Sequence, residues 1–149
     1  LDLIESLENQ VLENYKPILG ICLGMQIMAD SSEEKGYHKG LGWINGKVKK
    51  LQAHTSHKIP HVGWNSFNLK IMQPLFNGLA DDSNFYFDHS YAFMCDDKYA
   101  AAKISHTKRD FAAAVQKNNI FGVQFHPEKS QNSGLKVIRN FFNYIRNNS

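Results

Sequence analysis

Apolar residues recur at helical intervals from the start of the chain, at Leu3, Ile4, Leu7 and Val11, with Leu12 widening the stripe. The spacing predicts an amphipathic helix over residues 2–14 that stops before Pro17, whose ring cannot continue it. Residues 18–22 then form a short, glycine-containing apolar run, the pattern of a buried parallel strand, and residues 23–29 return to helical spacing. Residues 30–42, rich in Ser, Glu, Lys and Gly, read as a loop. Stretches at 43–50, 58–70, 84–94, 99–105, 111–116 and 120–125 carry β-type residues, several of them as antiparallel hairpins. At the end, residues 134–145 place Leu135, Ile138, Phe142 and Ile145 on one face, as in a closing helix packed on a sheet. This order predicts an α/β fold, a mixed sheet flanked by helices, in a single domain over residues 1–149.

Composition narrows the function classes. With 42% hydrophobic residues in 149, the chain can bury one core and is not a disordered segment. Seventeen Lys and Arg against 14 Asp and Glu leave a net charge of only +3, dispersed except around Lys47, Lys49 and Lys50, which argues against a nucleic-acid partner. No apolar run reaches membrane-spanning length, there is no signal-peptide pattern, and the only cysteines are Cys22 and Cys95. The expected setting is therefore the reducing cytoplasm, with no membrane contact and no structural disulfide. The seven histidines lack ligand spacing to one another or to cysteine, so no metal site is expected.

The chemistry concentrates in two motifs. In "GICLGMQIM", Cys22 stands between Gly20 and Gly24, where a predicted strand turns into a helix. A nucleophile on such a turn needs small neighbours so that a reacting carbonyl can approach. The following helix would favour thiolate over thiol and offer the Leu23 N–H to a developing oxyanion. Taken alone, the motif fits a buried core cysteine as well, because free cysteine is among the most buried residue types. A thiol nucleophile also needs a base. His126 ends the run "IFGVQF" at a predicted strand's carboxyl end, and Glu128 follows across Pro127. A carboxylate there can fix one imidazole nitrogen and leave the other for the thiol. The alternative is a strand-end histidine with a solvated acid.

"PILGICLGMQ", followed about a hundred residues later by "GVQFHPEKS", resembles the class I (triad) glutamine amidotransferase family over essentially the whole chain. The segments "GLGWI", "IPHVGWN" and "FYFDHSY" resemble the branch that delivers ammonia to a (β/α)8-barrel cyclase partner in histidine biosynthesis. A paralogous branch, supplying ammonia for acetamidino-sugar synthesis, fits the same motifs. A catalytically inactive partner-binding module is the reading from another class. The resemblance implies a flavodoxin-like fold and L-glutamine as substrate, with no cofactor. It implies Cys22 as nucleophile, His126 as base and acid, and Glu128 as the residue that orients the histidine. Gly24, Gln26 and Glu34 match positions around bound glutamine, and Ser90 and Tyr91 match the segment that holds its amino-acid end. His89 falls in the pocket wall. Trp64, Tyr86 and Lys129 match positions bordering the partner interface. Asp88 departs from the pattern, which has an apolar residue there. Family members carry further βα elements ahead of the nucleophile strand, so the sequence is expected to be a piece of a longer protein that lacks roughly 60 residues at about 30 per βα unit.

Overall fold

The computed structural model describes residues 3–53, 58–106 and 109–148. The first helix, α1 (Leu3–Glu8), passes into a π-helical turn at Asn9–Glu13 that closes with Asn14 N–H donating to Asn9 O at 3.0 Å. Residue 2, the predicted helix start, lies outside the described residues. Of the predicted apolar stripe only Val11 is buried, and Leu3, Ile4 and Leu12 are exposed. Asn119 grips the end of this segment, donating to Val11 O and Lys16 O.

The chain then enters β1 (Ile18–Ile21), turns at Cys22 and makes the one-turn helix α2 (Leu23–Gln26). The predicted helix over 23–29 is thus cut short. Met28 N–H and Ala29 N–H bond back only three residues, and residues 27–30 form turns. Inside the predicted loop at 30–42 sit two short strands, β2 (Ser31–Ser32) and β3 (His38–Lys39). The remaining strands are β4 (Gly46–Lys50), β5 (His61–Asn65), β6 (Asn68–Leu69), β7 (Phe85–His89), β8 (Tyr91–Cys95), β9 (Ala100–His106), β10 (Arg109–Lys117) and β11 (Ile120–Val123).

These strands form three sheets, in the orders β1-β11-β10-β9-β6, β3-β2-β4-β8 and β5-β7. Two pairs, β1 with β11 and β2 with β4, are parallel, and the other pairs are antiparallel. The arrangement is α/β with mixed sheets, but divided where one mixed sheet was expected. The break at Ser90 splits the β-type stretch at 84–94 into two strands, so that β7 pairs with β5 while β8 pairs with β4.

The closing helix is α3 (Gln131–Asn147). Its packed face is not the predicted one, for Leu135 is 51% and Phe142 59% exposed, whereas Gly134, Val137 and Asn140 are buried. Contact with the preceding turn fixes this rotation. A Cβ at Gly134 would lie 1.9 Å from Pro127 O, so only glycine lets the helix approach. Asn140 then reaches Leu75 O and Asn77 O from the same face.

Candidate active site

Parallel pairing of β1 and β11 sets Gly20 opposite Gly122 and Ile21 opposite Val123. Both chains therefore leave the sheet at the same carboxyl edge, where open α/β sheets collect their sites. Cys22 is the first residue past β1, anchored by its N–H to Val123 O at 2.8 Å. Its φ of 52° and ψ of −106° are strained for a residue with a Cβ, the mark of a sharp strand-to-helix elbow. The glycine pair makes the elbow possible, because a Cβ at Gly20 would meet the Gly24 carbonyl at 2.5 Å and one at Gly122 would meet Met25 at 2.5 Å. Helix α2 lies directly on these two positions. Gly24 differs, having open space where its Cβ would stand.

His126 and Glu128 lie just past β11. The imidazole Nδ1 is 2.7 Å from Glu128 Oε1, so Nδ1–H donates to the carboxylate and Nε2 is left as the acceptor. Burial works to raise the Glu128 pKa. Hydrogen bonds from His126 and from its own backbone N–H, with the charge His126 carries when protonated and the positive charge of Lys129, outweigh it and hold the carboxyl below its ordinary range. The turn is tied to β7 twice. His126 N–H donates to Tyr86 O at 2.9 Å, and the buried Ser130 hydroxyl donates to His126 O at 2.6 Å while accepting from Tyr86 N–H at 3.0 Å.

The thiol itself departs from the expectation that helix α2 would favour thiolate. Burial pushes the Cys22 pKa up, the negative charges of Asp88 and Glu128 add to this, and hydrogen bonds from Leu23 N–H and Gln124 only partly offset it. One helical turn carries little dipole, and desolvation wins. Cys22 rests as a thiol that requires a base.

Gln26 is buried, and its Nε2 donates both to Tyr91 O and to Gln124 Oε1, each at 2.9 Å. With Leu23 and Glu34 it lines a cavity of about 690 Å³, of the size that holds small ligands, but this cavity runs along α1 and residues 32–41, and Cys22, Gly24, His89, Ser90, Tyr91 and His126 lie outside its lining. His89 is buried but does not line that cavity; its Nδ1 lies 2.7 Å from Tyr91 O and its Nε2 2.9 Å from His61 Nδ1. His61 therefore points inward, against Phe87. Ser90 O accepts from Leu51 N–H at the crossing between sheets. On the outer face of β5 and β7, Trp64 packs edge-on to Tyr86 at 6.0 Å and Lys129 Nζ stands 5.6 Å from the Tyr86 ring. Trp64 is 50% exposed, so it is not a core residue. Asp88 shares this outer face and is exposed, so it needs no buried partner.

Sequence reasoning missed Gln124 and Ser130. Gln124 is 0% exposed in an otherwise apolar strand run, and its Nε2 lies 3.6 Å from Cys22 Sγ. The available signal was a polar residue inside "IFGVQF", since a buried amide must find partners. Ser130 gave no comparable signal, because its two partners come together only in space.

A model of the family "Glutamine amidotransferase class-I" matches residues 4–145. The chain is 48% identical over 141 residues to imidazole glycerol phosphate synthase subunit HisH 1 of Campylobacter jejuni, covering 95% of this chain and 70% of that protein. It is 48% identical over 144 residues to subunit HisH 2 of Vibrio vulnificus, covering 97% and 67%, and 45% identical over 142 residues to subunit HisH of Pelagibacter ubique, covering 95% and 68%. A crystal structure of a glutamine amidotransferase from Thermotoga maritima superposes with a TM-score of 0.58 at 16% identity, covering 96% of this chain and 54% of that one, a likeness of fold alone. With the family model running through both the Cys22 elbow and the His126 turn, the chain belongs to the class I glutamine amidotransferase family.

Proposed function

We propose that this chain is the glutaminase part of an imidazole glycerol phosphate synthase, hydrolysing L-glutamine in the cytoplasm and passing the ammonia to a (β/α)8-barrel cyclase for histidine biosynthesis. The observation that carries the reading is the shared carboxyl edge of β1 and β11. Strained Cys22 leaves one strand there, and the His126–Glu128 pair, 2.7 Å apart, leaves the other. His126 Nε2 takes the Cys22 proton and the sulfur attacks the glutamine carboxamide carbon. Leu23 N–H faces the oxyanion, and His126 returns the proton to the departing nitrogen. Water, deprotonated by His126, then opens the thioester to glutamate. Glu128 keeps Nδ1 protonated throughout, so Nε2 always faces the chemistry. Gln26 and Glu34 in the cavity wall suit the polar ends of an amino acid. The Trp64, Tyr86 and Lys129 cluster lies on the outer face of the strand whose Tyr86 carbonyl holds His126, which suits a partner contact that adjusts the base.

The test is glutamate release by the full-length protein, with and without the cyclase subunit. Hydrolysis should be slow alone and much faster with the partner, and Cys22→Ala should abolish it in both conditions while partner binding persists. Glutamate release by purified Cys22→Ala would refute the role of Cys22. Equal wild-type rates with and without the cyclase would refute the coupling.

A further inference from the structure

The triad leaves one buried group beside the nucleophile without a task. Gln124 has no exposed surface, and its amide orientation is dictated from outside. Oε1 accepts from Gln26 Nε2 at 2.9 Å, and Gln26 is itself held by donating to Tyr91 O. Turning the Gln124 amide over would set NH₂ against NH₂ and lose that bond. Nε2 must therefore point the other way, and there it meets Cys22 Sγ at 3.6 Å.

A neutral thiol is a weak acceptor and a thiolate a strong one, so this contact strengthens when the sulfur loses its proton. The charged groups near enough to act on the sulfur work in the opposite sense. Asp88 comes from β7 and Glu128 from the turn after β11, and both repel a second negative charge. His126, on that same turn, is the base that receives the proton. Against burial and two carboxylates stand only short-range donors, the Leu23 N–H and Gln124. Leu23 N–H is also the donor assigned to the oxyanion, and it cannot serve sulfur and oxygen fully at once.

We propose that Gln124 is the positioning residue of the nucleophile, an oriented amide donor that holds the Cys22 sulfur as thiolate after His126 takes its proton, leaving Leu23 N–H free for the oxyanion. The proposal rests on Cys22 being the nucleophile. It makes the Tyr91–Gln26–Gln124–Cys22 chain of hydrogen bonds a single unit, linking the glutamine-facing segment to the reacting sulfur. Gln26 then has two tasks, lining the cavity and aiming Gln124.

The experiment is the pH dependence of Cys22 alkylation by iodoacetamide in the full-length protein, read on the Cys22 peptide by mass spectrometry so that Cys95 does not contribute. Gln124→Met keeps length and volume but removes the donor. The alkylation midpoint should rise by about 1–2 pH units, the effect of losing one hydrogen bond to a charged group. Near neutral pH the rate should fall about 3- to 10-fold, less than the loss of thiolate, because the remaining thiolate is more nucleophilic. In glutamine hydrolysis kcat should fall more than KM rises. Gln124→Glu, which keeps the shape but sets a carboxylate against the sulfur, should raise the midpoint further and serves if the Met variant does not fold. A wild-type midpoint in either folded variant overturns the proposal. Alkylation needs no glutamine, so this outcome is distinct from failure of the nucleophile assignment, which Cys22→Ala tests separately.

Discussion

Gly20 and Gly24 flank Cys22 symmetrically in sequence, but the structure gives them opposite tasks, and alanine at each position separates the two. At Gly20 a new Cβ would lie 2.5 Å from Gly24 O, 2.6 Å from Gly24 C and 2.8 Å from Met25 N. All three are backbone atoms of α2, with no rotamer to relieve them. To restore ordinary contact the helix must retreat, carrying the Leu23 N–H with it, by roughly 1 Å, a displacement that costs about 100-fold in rate where reacting groups are involved. Overpacking of this kind costs about 1–3 kcal/mol, and at about 2–4 °C per kcal/mol for a chain of this size Gly20→Ala should melt roughly 2–12 °C lower. At Gly24 the added Cβ meets nothing within 4 Å, and alanine is the better helix former by up to about 1 kcal/mol. Gly24→Ala should therefore melt at or above the wild-type temperature. Its methyl projects into open space at a position that the family resemblance places around bound glutamine, so the expected change is a raised KM for glutamine. The assays are thermal melting and steady-state glutamate release on both variants. A Gly20→Ala protein with unchanged melting and unchanged kcat would refute the reasoning, as would a Gly24→Ala protein that melts lower.

Two further outcomes follow from the turn after β11. Ser130→Ala removes the hydroxyl that donates to His126 O and accepts from Tyr86 N–H, and should destabilise the protein by about 1–3 kcal/mol in denaturant melts; an unchanged midpoint would show that the clamp contributes nothing. Because the folded Glu128 pKa is depressed, its stabilisation is present above the unfolded value and is lost as pH falls through the lowered folded one. Glu128→Gln should therefore flatten the loss of melting temperature below about pH 4.5, and the same acid slope in wild type and variant would refute this.

Much of the site was legible in residue order. A cysteine between glycines after an apolar run, and a histidine and an acid across a proline after another, are local patterns whose chemistry depends on neighbours a few residues away. Local spacing also located α3, because a 17-residue helix repeats its signal many times. It failed to say which face packs, since Leu135 and Phe142 fit the stripe but the close approach at Gly134 decides the rotation. It overextended α2, where apolar residues continue past Gln26 but the backbone turns to meet the 40–44 segment, Leu41 N–H bonding Ile27 O and Trp43 N–H bonding Met28 O. The division of residues 84–94 between two sheets was likewise invisible, because β-type residues on both sides of Ser90 look alike until their partners are known. The pairing of Gly20 with Gly122, the clamp of Ser130 and the aim of Gln124 at Cys22 all join residues about 40 to 100 positions apart. Sequence by itself determined which chemical groups the protein has and which short turns present them. The upward push on the thiol's pKa and the donor that faces it were decided only by tertiary structure, because burial, charge proximity and amide orientation exist only once the strands have come together.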